Sequence, residues 1–206
     1  MHGKTAQGIA GIVLAAGRST RMGTLKQLLP LGGKPTIEVV VEQVCGRLER
    51  VIAVLGHRAE EVAGALAGQP VVCAFNPDYG LGMLTSVQCG IRAAGGASGY
   101  LICLGDQPHL GSTADALLEA ARQAGEGILI PTFQGRRGHP ILIRSSYAGE
   151  ILSLSPERGL NTVTRGHPQD TLEVPVEGRE ALEDMDTPAD YQREARRYSV
   201  RGEVDG

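Results

Sequence analysis

The sequence predicts an α/β fold: a mostly parallel sheet with helices on both faces. Three observations carry this. Apolar runs of strand length recur along the chain, separated by segments of helix length, which is the alternation that βαβ units produce. The runs are continuously apolar, as in strands covered on both sides. Glycine is abundant, tryptophan is absent and aromatics make up 3% of the chain, so the core must rest on aliphatic packing and the connections on tight turns. At 206 residues the chain reads as a single domain over 1–206, with loose termini at 1–7 and 199–206.

Taken in order, residues 9–15 open the series as a buried strand. A helix is expected over 36–47, a strand over 51–55, an alanine-rich helix over 59–67 and a strand over 71–75. A helix over 83–94 and a strand over 100–104 follow, then a helix over 114–124 and a strand over 127–131. The rhythm changes after Pro131. Residues 132–138 are turn-rich and lead into 140–144, which is expected to belong to a strand pair lying over the site. A helix is expected over 146–152, another starting near 156–160, and a late strand over 171–176. At 186–190 an N-capping residue and Pro188 announce a helix over 191–198.

Composition excludes several classes of partner. The net charge of −3 gives no global attraction for nucleic acid or an anionic membrane, so any basic site must be local. The N-terminus lacks a signal-peptide pattern, and the apolar stretch after it is too short to span a bilayer. Cys45, Cys73, Cys89 and Cys103 form no C-x-x-C pair and read as buried free thiols, which suits a reducing cytoplasm.

Ligands of open α/β sheets bind beyond the carboxyl ends of the strands, and three polar loops fall there. The first follows strand 9–15 and carries Arg18, Arg21 and Lys26 among small residues. Its backbone N–H groups can close on a polyphosphate, which the two guanidiniums and the ammonium would neutralise. Lys26 is one of only three lysines against seventeen arginines, which makes its place in this loop more notable. The loop lacks the Gly-Lys-Ser/Thr of a P-loop and the Gly-x-Gly-x-x-Gly dinucleotide fingerprint. The second loop is 76–86 (NPDYGLGMLTS), and the third is Gly105-Asp-Gln-Pro108. Asp106, ending an apolar strand, reads either as a Mg²⁺ ligand beside a triphosphate or as a turn-capping residue. Asp186 or Thr187 reads as a helix cap, and a cap is compatible with metal binding. Arg21 contacts phosphate or braces its loop. His139 contacts an acceptor or is structural. His57, His109 and His167 have no evident partners, and no Ser-His-Asp set or metal-spaced His/Cys cluster is present.

Together these loops resemble the MobA-like nucleotidyltransferases, and among them the molybdenum cofactor cytidylyltransferases. The likeness runs from Ile12 to about Tyr191. Leu14, Ala15, Ala16, Gly17, Arg18, Ser19, Arg21, Met22, Gly23 and Lys26 match the family's nucleotide loop, and Asn76, Ser86 and Gly105 are expected beside the nucleotide. Tyr79, Gly82, Met83, Thr85, Gly138, His139 and Pro140 are expected on the acceptor side. Asp106 and Asp186 match the metal-binding positions, and Arg18, Lys26 and Asp106 the catalytic ones. The resemblance implies a Rossmann-like nucleotidyltransferase fold, similar to nucleotide-diphospho-sugar transferases. It implies Mg²⁺, or alternatively Mn²⁺, and transfer of CMP from CTP to the terminal phosphate of molybdenum-bearing molybdopterin. Ala16 stands where the guanylyltransferase branch has Gly, which favours cytosine, whereas Leu14 stands where the cytidylyltransferase branch often has Thr. GMP transfer from GTP, another phosphorylated acceptor, and a cofactor carrier serving a molybdenum hydroxylase are the alternatives.

Overall fold

The computed structural model describes residues 8–202, the last four by their backbone alone. The expectation of loose termini falls in part on 1–7 and 203–206, outside the described residues. At 199–202 it is corrected: the last helix continues through them, since no proline or glycine interrupts it before Gly202.

The strands are β1 (Ile9–Ala15), β4 (Arg50–Leu55), β5 (Val72–Phe75), β6 (Gly99–Leu104), β7 (Ile128–Phe133), β9 (Ile141–Arg144) and β10 (Thr171–Pro175). A short ribbon of β2 (Pro30–Leu31) and β3 (Lys34–Pro35) stands apart, and β8 (Arg136–Arg137) folds back on the end of β7. The main sheet has the order β10-β7-β9-β6-β1-β4-β5. All neighbours pair in parallel except β9, which is antiparallel to both β6 and β7. The helices are α1 (Thr36–Cys45), α2 (Ala59–Ala65), α3 (Met83–Ala94), α4 (Gly111–Gln123), α5 (Ala148–Ser153), α6 (Asn161–Gly166) and α7 (Pro188–Gly202).

Apolar spacing decides which helix face is buried. In α1, Ile37, Val40, Val41 and Val44 fall on one stripe and pack with Val13, Leu101, Cys103 and Leu129 on one side of the sheet. In α3, Leu84, Val87, Ile91 and Ala94 do the same against Ile12, Ile52, Val54 and Ile102 on the other side. Each fully buried side chain of this kind contributes about 1.5–3 kcal/mol.

Four expectations need correction. The segment at 140–144 does not lie over the site: β9 enters the sheet itself, because Ile141 and Ile143 bury on one face and Leu142 on the other. Strand β5 is an edge with Val72 and Phe75 exposed, so its apolar run is not covered on both sides. Residues 156–160 turn instead of starting a helix, with the Arg158 N–H donating to the Ser155 carbonyl, and α6 begins only at Asn161. All four cysteines are free, but only Cys103 is buried, its thiol pushed up to about 12 by burial, while Cys73 is exposed.

Buried Gln88 on α3 donates from Nε2 to the carbonyls of Ile151 and Leu154, each at 2.9 Å. This locks the turn after α5 to α3. Gln88→Leu strands both acceptors, and thermal and urea unfolding should show a loss of about 1–3 kcal/mol; unchanged unfolding curves would show that the turn is held by other contacts.

Candidate active site

Topology gathers the loops. Strands β1, β4 and β6 run in parallel, so the segments that follow Ala15, Leu55 and Leu104 leave from one sheet edge. Because β9 runs the other way, its beginning lies on that same edge. Gly138, His139 and Pro140 are thereby brought to the loops of the first half of the chain.

The first loop is held from within. Ser19 Oγ accepts from the Lys26 N–H at 3.2 Å and donates to Gln27 Oε1 at 3.2 Å. The Met22 side chain is buried beneath the loop. Ala15 and Ala16 are buried, Leu14 is half-buried, and Gly17 and Gly23 are exposed. The Ala16 methyl does not face open space either. A Cβ on Gly56 would fall 2.8 Å from it and 2.7 Å from the Tyr79 Cβ, so Ala16, Gly56 and Tyr79 crowd together and only glycine fits at 56.

Lys26 starts a 3-10 turn and sends its ammonium to both Asp106 Oδ2 and Asp186 Oδ1, the latter at 3.1 Å. Arg21 binds the other oxygen of Asp186 at 2.8 Å. Burial lowers the Lys26 pKa, but the two carboxylates outweigh it and hold the ammonium above its ordinary range. The approach of Asp106 requires Gly105: a Cβ there would stand 2.8 Å from the Leu14 carbonyl oxygen that the Gly105 N–H meets. Asp186 is not the helix cap. Thr187 and Asp190 cap α7 reciprocally, each backbone N–H bonded to the other's side chain, which leaves the Asp186 carboxylate for the site.

The second loop uses its polar side chains on itself. Asn76 Nδ2 donates to Thr85 Oγ1 at 2.9 Å and Ser86 Oγ at 3.0 Å, while its Oδ1 accepts from the Asp78 N–H. All three side chains are buried and bonded to one another, and this network shapes the loop. What faces outward is Tyr79, whose ring lies 5.6 Å from the Arg18 guanidinium carbon, and the apolar pair Leu81 and Met83. Arg18 makes no ion pair among the described residues.

On the acceptor side, Gly138 packs against Ala181, whose carbonyl accepts from the His139 N–H at 2.9 Å. Pro140 is buried and follows a cis peptide bond. His139 lines a cavity of about 500 Å³ together with Gly82 and Met83. Burial holds its imidazole below the ordinary histidine range, against the pull of the Ile102 carbonyl and the Asp106 charge.

Sequence reasoning did not single out Gln107, which is buried and donates to Asp184 Oδ1 at 2.7 Å. Nor did it find partners for His109, which pairs with buried Glu194 at 2.7 Å, or for His167, which pairs with Glu150 at 2.8 Å. These partners lie 77, 85 and 17 residues away, and no local pattern reports them. Among the described residues no three His, Cys, Asp or Glu side chains converge to hold a metal alone. Asp106 and Asp186 nevertheless meet at one cation position, now taken by an ammonium. Two hard oxygen donors fit a divalent cation whose remaining ligands are phosphate and water.

Residues 11–172 match the model of the MobA-like NTP transferase domain. The molybdenum cofactor cytidylyltransferase of Escherichia coli K12 is 30% identical over 190 residues, spanning 91% of this chain and 96% of that protein. A solved nucleotidyl transferase from Methanothermobacter thermautotroptrophicus superposes with a TM-score of 0.81 at 27% identity, covering 95% of this chain and 99% of that one. Rv0371C from Mycobacterium tuberculosis H37Rv, solved in complex with manganese, gives a TM-score of 0.73 at 26% identity, covering 92% of this chain and 99% of that one.

Lys26→Met removes the ammonium that lies between the two carboxylates. Nucleotide-free Lys26→Met protein should bind Mn²⁺ about tenfold more tightly than the unchanged protein, a factor of ten being about 1.4 kcal/mol. The free-Mn²⁺ electron paramagnetic resonance signal reads this. Equal affinities would separate the lysine from the cation position.

Proposed function

The chain belongs to the MobA-like NTP transferase domain family, and from that premise we propose that it moves CMP from CTP onto the terminal phosphate of molybdenum-bearing molybdopterin. The observation that carries this reading is the convergence of Lys26, Asp106 and Asp186 at the end of a glycine-rich loop that also carries Arg18, which makes no ion pair among the described residues. The cytidyl choice is supported by the relative whose name specifies it. The same position of this family supports GMP transfer less well, because Ala16 replaces the glycine of that branch.

An oxygen of the acceptor phosphate attacks the α-phosphorus in line. A new P–O–P bridge forms, the α–β bridging bond breaks, and pyrophosphate leaves with the electron pair. The attacking phosphate is already ionised, so no general base is required, and a neutral His139 fits that chemistry. Arg18 and Lys26 offset charge on the β- and γ-phosphates, and the loop backbone fixes their direction. Asp106 and Asp186 would hold a divalent cation, Mg²⁺ or Mn²⁺, which when bound neutralises the triphosphate. Tyr79, Gly82, Met83 and His139 meet the acceptor. The free thiols suit a reducing compartment. No helix among the described residues is long and apolar enough to cross a membrane.

Pyrophosphate release with Mg²⁺ and the molybdenum-bearing cofactor, compared across CTP, GTP, ATP and UTP, tests the assignment. CTP should be strongly preferred. Preference for GTP would keep the mechanism and reverse the base, while tight cofactor binding without any release would favour a carrier. Asp106→Asn should lower turnover by a factor on the order of 10³, roughly 4 kcal/mol of barrier, and should also lower the unfolding temperature, because the shielded Lys26 ammonium loses one of its two carboxylates. Full activity in that variant would remove Asp106 from the reaction.

A further inference from the structure

Asp106 and Asp186 reach one cation position from stretches of chain built in different ways. Asp106 directly follows β6, a strand paired on both sides. Asp186 sits in residues 183–186, which form neither helix nor strand. The backbone joins the two stretches only loosely, the Met185 N–H donating to the Asp106 carbonyl at 3.4 Å. The placement of Asp186 opposite Asp106 therefore depends on side chains.

Three consecutive residues after Asp106 are tied to the end of the chain. Gln107 Nε2 donates to Asp184 Oδ1 at 2.7 Å. The Tyr198 hydroxyl donates to the Pro108 carbonyl at 2.8 Å. His109 Nε2 stands 2.7 Å from Glu194 Oε2, and since an ionised carboxylate only accepts, the imidazole carries its proton there. The His109 and Tyr198 rings stack with centroids 5.1 Å apart. The 107–109 side is anchored, because Gln43 of α1 donates to the Pro108 carbonyl and accepts from the Gly111 N–H at 3.0 Å. Helix α7 is the side that is set. Its apolar packing among the described residues is one small cluster, in which Tyr191, Ala195 and Tyr198 meet Leu31, Val39 and Met185. Polar ties must then decide how it lies. Glu194 is buried, and its other oxygen binds Arg197 at 3.1 Å. Arg197 binds Glu183 at 2.7 Å, at the head of the irregular segment. A bond made at His109 thus reaches the residues around Asp186.

We propose that His109 is a positioning residue for the cation position. Through Glu194 and Arg197 it fixes how α7 lies against the end of β6, and so holds the Asp186 carboxylate opposite Asp106. His109 itself bonds neither of these carboxylates. This rests on the nucleotidyl-transfer reading only for the use made of the cation. Partners beyond the ligands themselves govern metal affinity by orienting them. A histidine that merely docked α7 would affect stability without regard to Asp186.

Mn²⁺ alone, read by the electron paramagnetic resonance signal of the free ion, reports the cation position without nucleotide or turnover. His109→Phe keeps a ring beside Tyr198 and removes the donor. It should weaken Mn²⁺ binding about tenfold, the low end for partners that orient metal ligands. His109→Gln offers an N–H near the place of Nε2 and should recover most of the loss. In an Asp186→Asn background, His109→Phe should change Mn²⁺ affinity by less than about twofold, because the carboxylate it positions is gone. Thermal unfolding checks that each variant is folded. Should His109→Phe fail to fold, Tyr198→Phe keeps the ring, loses the bond to Pro108 and should show a smaller loss that also vanishes with Asp186→Asn. Unchanged Mn²⁺ affinity in the folded variant, an equal loss in the Asp186→Asn background, or no Mn²⁺ binding by the unchanged protein overturns the proposal. A protein that shows this coupling but releases no pyrophosphate keeps the positioning residue and loses the transferase reading. One that turns over CTP while its Mn²⁺ affinity ignores His109 does the reverse.

Discussion

Strand β1 pairs in parallel with both β4 and β6. From that pairing, three chain segments far apart in sequence must leave the sheet side by side. The insertion of β9 in the opposite sense adds a fourth segment, because the beginning of an antiparallel strand lies where its neighbours end. Reversing β9 would carry His139 to the far edge of the sheet, away from Asp106. The chemistry of the site thus depends on a backbone pairing decision, and the side chains at the loops inherit their proximity from it.

Charge balance then fixes the geometry. The Lys26 and Asp106 side chains are 17% and 10% exposed, so their pairing is largely shielded from water. Removing one member of such a pair costs about 3–5 kcal/mol, because the other charge is left without compensation. The Arg21 side chain is 72% exposed, and its bond to Asp186 is worth about 1 kcal/mol or less. Lys26 therefore ties the first loop to the end of β6 and to the segment before α7, and Arg21 braces. Under the proposed function an ammonium held this way would have two uses, neutralising carboxylates and meeting phosphate. A polyphosphate with its own cation satisfies both sides at once.

Much of this was legible in the sequence where local pattern and tertiary burial agree. The strand at 9–15 and the helix at 83–94 were read with the bounds the structure has, because a continuous apolar run and a regular i, i+3, i+7 stripe leave few alternatives. Residues 141–144 were harder. Ile-Leu-Ile-Arg signals a strand, but nothing in four residues states which neighbours it pairs with or in which sense. The polar residues of 76–86 illustrate the second limit. Asparagine, threonine and serine in a loop look equally suited to a ligand and to one another, and only the fold reveals that Asn76 is enclosed by Thr85 and Ser86. Composition also misjudged Cys73, since a cysteine in an apolar run reads as buried unless the run forms an edge strand.

The inward-turned network of Asn76 still bears on the chemistry. With its polar side chains spent on the Asp78 N–H and the Gly82 and Asp78 carbonyls, the loop between β5 and α3 has little freedom, and Tyr79 and Met83 are presented in fixed directions. Rigidity of this kind lowers the ordering cost of binding, so contacts with a ligand appear more fully as affinity and alignment. His139 follows the same logic in charge. A second buried cation near Asp106 would compete with Lys26 for that carboxylate, and burial works against it by pushing the imidazole below the ordinary histidine range. The site thus holds one ammonium between two carboxylates and, on the side of the His139 cavity, no second cation paired with Asp106 among the described residues. Under the proposed transfer, that asymmetry would let two anionic reactants approach each other without both being drawn to the same cation.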